Sequence, residues 1–364
     1  MSCDRCGECR QDGSRYCRYC GERLVPYPGA GCERCEECRS WGDVFCRYCG
    51  KRLIEDEHPL LKIGFVIGLI TAIFLTMLLF FEYAVALWGI PQVLPRLPDY
   101  GSTLIVVVPM VVDVVSFNGI LSQIYYILLI LALTASLLTY ICRFVGPLGK
   151  MIDGDNESVR DTAFYEVCVL FSTLYFWEII YLIILQSSGV EINPLPEMDT
   201  WVWMYELLEA SVWEEIITRI LMIGFPTVLI AAFMRHEGKG SVRYLIGGIE
   251  MNRTAVVLIF FSAFMFGAGH IGGWGWWKFF PTFVFGLIAG YLFCKYGVYA
   301  TILFHFMTDY ISAESWLSGS DASIFTALLI FGLALVCAPF TYVYLKKGVV
   351  GLREIITFQS NGLK

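Results

Sequence analysis

Three polar clusters interrupt apolar stretches of this chain: Glu214-Glu215-x-x-x-Arg219, Phe266-x-x-x-His270 and His305-x-x-x-Asp309. An ionisable group at the centre of a membrane span costs roughly 2.5–3.5 kcal/mol on insertion scales, so such groups gather around polar cavities where they bind or react. Carboxylate, imidazole and guanidinium together suit hydrolysis: a base for water, a donor for the developing oxyanion, a cation to offset buried charge. Helical spacing sorts them. Glu215 and Arg219 stand at i, i+4 and can close a salt bridge along one face. Glu214, about 100° away around the helix, has no local cation and is left for chemistry. His270 follows Phe266 by one turn and is flanked by Gly267, Gly269, Gly272 and Gly273, which permit close backbone approach or entry of a substrate chain. His305 and Asp309 share a face and can address one cavity. Each cluster alone also fits a structural role, as an ion pair, a helix-end histidine or a polar pair between helices.

In this order and with these spacings, the three motifs resemble the CAAX protease and bacteriocin-processing family of intramembrane endopeptidases, over roughly residues 170 to 345. The resemblance implies hydrolysis of a peptide bond near the C-terminus of a membrane-associated protein or peptide, prenylated or not. It also implies a division of labour: Glu214 as general base on a water oriented by His270, His305 supported by Asp309 at the oxyanion, and Glu215 with Arg219 holding the geometry. The last position of the third motif is Asn or Asp in that family, and Asp309 is an acid that can orient His305. Two histidines and a glutamate also form a catalytic zinc set. The adjacent glutamates and the lack of H-E-x-x-H favour the metal-free route. Two other classes stay open: a non-proteolytic scaffold or immunity factor, which would tolerate loss of Glu214, and a transporter, against which no repeat relates the two halves of the membrane region.

The elements that must position these residues are helices in a bilayer. Of 364 residues 57% are hydrophobic, and several apolar runs reach the roughly 20 residues that cross the hydrocarbon as helix. The reading is an all-α polytopic membrane protein with about eight spans, near 63–88, 118–141, 163–186, 202–234, 254–271, 277–295, 298–312 and 322–345, followed by a tail over 346–364. The segment 103–117, with Pro109 and Asp113, is too short to cross and reads as an interfacial or re-entrant piece. Basic residues alternate between loops. Arg143, Lys150 and Arg160, then Arg235, Lys239, Arg243 and Arg253, then Lys346, Lys347, Arg353 and Lys364 face acidic loops at 187–200 and 313–321. Both termini therefore read as cytoplasmic, in a multi-pass protein of the cell membrane. Trp274, Trp276 and Trp277 beside Lys278 fit an aromatic belt at the outer face. The polar start has no secretory signal core, so the first helix is expected to direct its own insertion. Glu82 and Glu178 lie in spans without neighbouring cations and receive no site role.

Ahead of the membrane region, ten of the fourteen cysteines fall in the first fifty residues and repeat at an offset of 29. Cys3, Cys6, Cys9, Cys17 and Cys20 return as Cys32, Cys35, Cys38, Cys46 and Cys49. Each copy contains C-x2-C-x10-C-x2-C, which lets two thiolate pairs converge on one Zn²⁺. The head therefore reads as a double zinc ribbon over 1–53, with repeats 3–24 and 32–53 and a linker over 54–62. Its two structural zinc ions are assigned to Cys3, Cys6, Cys17 and Cys20, and to Cys32, Cys35, Cys46 and Cys49. Cys9 and Cys38 can each form a C-x-x-C with the cysteine before them and are left unassigned. A reducing cytosol disfavours disulfides. Four thiolates close the metal's shell, so the ribbons suit a protein partner or regulation better than catalysis. Residues 1–62 hold 11 Lys and Arg against 11 Asp and Glu, which offers no basic face for nucleic acid.

Overall fold

The computed structural model describes residues 5–12, 14, 16–19, 24, 34–41, 45–50, 59–152, 156–190, 192, 198–233, 241–311 and 320–358. The chain divides into two units, Met1–Gly64 and Phe65–Lys364. In the first, the leading C-x-x-C of each repeat lies on a short helix, α1 (Cys6–Gln11) and α2 (Cys35–Ser40). The duplication is expressed as a local two-fold relation. The Tyr16 N–H donates to the Arg47 carbonyl at 3.1 Å and the Phe45 N–H donates to the Arg18 carbonyl at 3.0 Å, which are equivalent bonds at the 29-residue offset. Arg5 over Tyr19 and Arg34 over Tyr48 repeat the correspondence, at 4.9 and 4.8 Å. Each repeat thus satisfies in the other backbone groups that so short a unit cannot pair internally.

The second unit is a helical bundle. Its elements are α3 (Pro59–Val93), α4 (Leu97–Tyr100), α5 (Ile120–Ile152), α6 (Asn156–Arg160), α7 (Ala163–Ser187), α8 (Thr200–Glu209), α9 (Phe225–Phe233), α10 (Arg253–Trp274), α11 (Phe279–Lys295), α12 (Val298–Asp309), α13 (Ser320–Cys337) and α14 (Phe340–Phe358). Six stretches among the described residues are long and apolar enough to cross a bilayer, and the bent pair α13 and α14 makes up to seven. The expected eight spans are corrected in two places. At 12 residues, α12 covers about 18 Å of a roughly 30 Å core, and the last span bends by 50° near Pro339. Proline cannot continue the hydrogen-bond ladder there.

The segment 103–117 is not helical. It forms an antiparallel hairpin, β1 (Ser102–Val108) and β2 (Met110–Phe117), turning at Pro109 with a register irregularity at Leu104/Ile105. Valine and isoleucine crowd the sequence here, and β-branched side chains lose less freedom in a strand than in a helix. The hairpin reaches α10 at Gly269, where an added Cβ would lie 2.8 Å from Val107.

The span Thr200–Phe233 departs from the expected α-helix. Residues Ala210–Glu214 and Ile216–Gly224 are π-helical, a widened geometry that arises where side chains intrude on the i→i−4 ladder. Three hydroxyls do so: Ser211 on the Leu207 carbonyl at 2.6 Å, Thr218 on the Glu214 carbonyl, and Ser262 of α10 on the Thr218 carbonyl at 2.6 Å.

At the far end of the bundle from the hairpin, the ammonium of Lys295 contacts Glu166 at 3.0 Å and Asp161 at 2.6 Å. The Tyr291 and Tyr296 hydroxyls donate to Glu166, whose carboxylate is buried. Lys295→Met strands that carboxylate, and a loss on the order of 2–4 kcal/mol is expected, somewhat below the value for a fully buried pair because Lys295 is partly exposed. Denaturant titration of the purified protein in micelles measures it, and no measurable change would contradict the assignment.

Candidate active site

The three motifs converge. Arg219 and Glu215 are completely buried, and the Arg219 Nε–H donates to Glu215 Oε2 at 3.0 Å, as the i, i+4 spacing predicts. A bare ion pair seldom offsets the desolvation of both ions, and here further contacts contribute. Arg219 Nη1 donates to Ser262 Oγ at 2.8 Å, and the guanidinium carbon lies 5.6 Å from the Phe266 ring centroid, within cation–π reach. The second Glu215 oxygen accepts from His305 Nδ1 at 3.0 Å. A buried chain thus runs from Arg219 through Glu215 to His305.

That contact revises how His305 is held. Glu215, rather than Asp309, occupies the far nitrogen of His305, which turns Nε2 inward, 3.8 Å from Glu214 Oε2 and 3.4 Å from Asp309 Oδ2. Asp309 also accepts from Ser211 Oγ at 3.1 Å. On the opposite side, His270 Nδ1 lies 2.8 Å from the Phe266 carbonyl. A carbonyl only accepts, so Nδ1 carries the proton and the neutral ring presents Nε2 as an acceptor. That nitrogen is 4.0 Å from Glu214 Oε2. Phe266 packs edge-on against His270 with centroids 4.6 Å apart, and Phe285 packs similarly on His305 at 4.9 Å.

Glu214 therefore stands between two imidazoles, at distances too long for direct hydrogen bonds and suited to groups that share a water or a reacting oxygen. The side chains of Glu214, His270 and Asp309 are 21%, 20% and 19% exposed, whereas Glu215 and Arg219 are at 0%. Glu214 and His270 reach open space, whereas His305, at 6%, is nearly as buried as Glu215 and Arg219. Two cavities meet at Glu214, one of about 460 Å³ reaching toward Glu206 and Glu209, one of about 200 Å³ beside His270. Glu82, completely buried, and Glu178, half-buried, line neither. Among residues without a sequence-based role, Ser211, Ser262 and Trp213 belong to the surroundings of the site. A serine in an apolar run is the only signal the first two offered, and Trp213 gave none beyond its place beside Glu214.

In the N-terminal unit, the Sγ atoms of Cys35, Cys46 and Cys49 lie within 4.8 Å of one another, a group that could hold a metal ion. Cys38, left unassigned on spacing, has its sulfur 3.7 Å from that of Cys46, and Cys9 likewise lies 3.7 Å from Cys17. Four thiolates at about 2.3 Å around zinc stand about 3.8 Å apart, and each pair fits that spacing, although among the described residues neither Cys38 nor Cys9 joins a group of three thiols within 4.8 Å. Cys6 is buried beside Cys9 and Cys17, while Cys3, Cys20 and Cys32 lie outside the described residues. Burial, with the neighbouring thiols of Cys49 and Cys46, pushes the Cys35 thiol up to about 12.

Fold and site together define a polytopic helical membrane protein with a carboxylate and imidazole centre within the bundle. Residues 196–311 match the family model described as type II CAAX prenyl endopeptidase, Rce1-like. The match spans about a third of the chain, contains all three motifs, and bears out the resemblance they carry. It supports an intramembrane endopeptidase of the CAAX type in general, and with it a peptide or protein substrate in the membrane. No curated protein and no solved structure matches the chain.

Proposed function

We propose that the protein hydrolyses a peptide bond near the C-terminus of a membrane-associated protein, using water activated by Glu214. The observation that carries this is the placement of the Glu214 carboxylate between two imidazole Nε2 atoms, each ring anchored through its other nitrogen. Glu214 takes one proton from a water whose second hydrogen is held by His270 Nε2. The hydroxide adds to the scissile carbonyl, and His305, protonated on both nitrogens, donates Nε2–H to the oxyanion. Collapse breaks the C–N bond as Glu214 returns its proton to the leaving amine. Asp309, held by Ser211, offsets the His305 charge.

A metal-free route is the reading that the donor spacing favours. Among the described residues, only Cys35, Cys46 and Cys49 bring three ligand atoms mutually within 4.8 Å, so His270, His305 and Glu214 are more open than a bound zinc requires. Glu214→Gln keeps shape and hydrogen bonding but removes the base. It is expected to lower kcat for a prenylated or transmembrane test peptide at least about 10³-fold, with thermal stability retained. Cleavage at the wild-type rate would refute the assignment.

For the N-terminal unit we propose two structural zinc sites, one of them held in part by Cys35, Cys46 and Cys49, on a module that recruits a protein partner. The alternation of basic and acidic loops supports cytoplasmic placement of this unit and of the C-terminal tail. Because the thiols must lose protons to bind, zinc affinity should fall as pH is lowered. Cys46→Ser is expected to reduce zinc from two equivalents per chain to one, by elemental analysis of the full-length protein. Two equivalents retained would remove Cys46 from the ligand set.

A further inference from the structure

The hairpin lies beside the site, and the proposed chemistry does not use it. Strand β1 runs beside the Thr200–Phe233 span. Tyr205 donates to Ser102 Oγ at 2.7 Å, the Trp213 indole donates to the Ile105 carbonyl at 3.0 Å, and Val107 packs with Ile217 and Met222. The strand thus passes Glu214 between the two cavities, both of which are lined by Ile105 and Glu214. Among the described residues the sheet has two strands only. Its Ile105 carbonyl is turned to the site and is met by a side chain, not by another strand. Backbone groups at such an edge take up an extended chain readily.

Charge narrows what that chain is. The larger cavity is lined by Asp113, Glu206, Glu209 and Glu214 and, among the described residues, by no Lys, Arg or His. Tyr100 and Tyr125 donate to Glu206 and Glu209 at 2.8 and 3.1 Å, and two phenols do not neutralise four carboxylates in one cavity. A cationic side chain entering there gains Coulomb energy in surroundings of low dielectric.

We propose that β1 is the docking edge for the peptide substrate. An extended segment adds to it as a third strand, puts a Lys or Arg side chain into the acidic cavity beside Glu206 and Glu209, and so lays a neighbouring peptide bond across Glu214 and His270. This rests on the endopeptidase reading and adds a substrate class: extended segments with a basic residue close to the cleaved bond. Strand addition also sets the reacting carbonyl by backbone pairing, which a protease acting on varied side chains requires.

The test separates docking from hydrolysis. Binding of a short fluorescein-labelled peptide containing one Lys, with and without a farnesyl group, is measured by anisotropy on full-length Glu214→Gln protein in nanodiscs. N-methylation is scanned along its backbone, and a Glu-for-Lys peptide is compared. The expected results are loss of affinity at alternate N-methyl positions and a roughly tenfold weaker Glu peptide, as for one partly buried charge contact. The second difference should vanish in protein that also carries Glu206→Gln and Glu209→Gln. Absence of binding by either peptide, or insensitivity to both N-methylation and the charge swap, overturns the proposal. Alternating sensitivity with no cleavage of the Lys peptide by the wild type leaves the docking edge standing and refutes the hydrolytic reading instead.

Discussion

A guanidinium with no access to water must be neutralised where it lies, and in this bundle that requirement fixes the site. Arg219 is completely buried on a span that also carries Glu215 and Glu214. Its contacts with Glu215, Ser262 and Phe266 bind the Thr200–Phe233 span to α10, and Glu215 extends the tie to α12 through His305. Loss of any one member leaves an uncompensated buried charge or polar group, which is far costlier than the intact chain is stabilising. The same contacts that hold three helices together therefore aim the His305 ring.

The local widening of the helix belongs to the same arrangement. Hydroxyls of Ser211, Thr218 and Ser262 occupy carbonyls along the π-helical stretch, and two of these serines also contact charged site residues, Asp309 and Arg219. Backbone distortion and charge placement thus share their side chains. π-helical turns inside longer helices are frequent at functional sites, and here the adjacent glutamates diverge: Glu215 points into the dry core and Glu214 into a cavity. In the proposed mechanism that separation lets one carboxylate remain charged and fixed while its neighbour exchanges protons.

Much of this was legible in the sequence because it rests on short-range geometry. The i, i+4 relation of Glu215 to Arg219 and of Phe266 to His270 survives into the structure, and apolar length located six of the expected spans, although the second, expected to end at 141, runs on to Met151. What escaped depends on contacts distant in sequence. Glu215 meets His305 across ninety positions, so the apparent partner one turn away, Asp309, was the natural but incomplete choice. The hairpin at 102–117 was concealed because two short apolar strands joined by a proline resemble a broken helix until they pair. Gly269 was read as room for close approach of the chain or for a substrate, and it is close approach by Val107 of that hairpin. Among the cysteines, spacing already paired Cys35 with Cys46 and Cys49, whose sulfurs the structure brings within 4.8 Å of one another.

The account stands on the claim that Glu215 acts by holding His305, with Arg219 present to compensate its charge. The most direct measurement compares thermal stability and peptide cleavage for Arg219→Met, Glu215→Met and the double variant. Each single variant removes one partner of a buried ion pair and should be less stable than the double variant, which, with both charges gone, should regain most of the lost stability. Its cleavage should nevertheless stay at the level of Glu215→Met, because His305 has lost its anchor. Recovery of cleavage together with stability would contradict the claim and reduce Glu215 to a partner for Arg219.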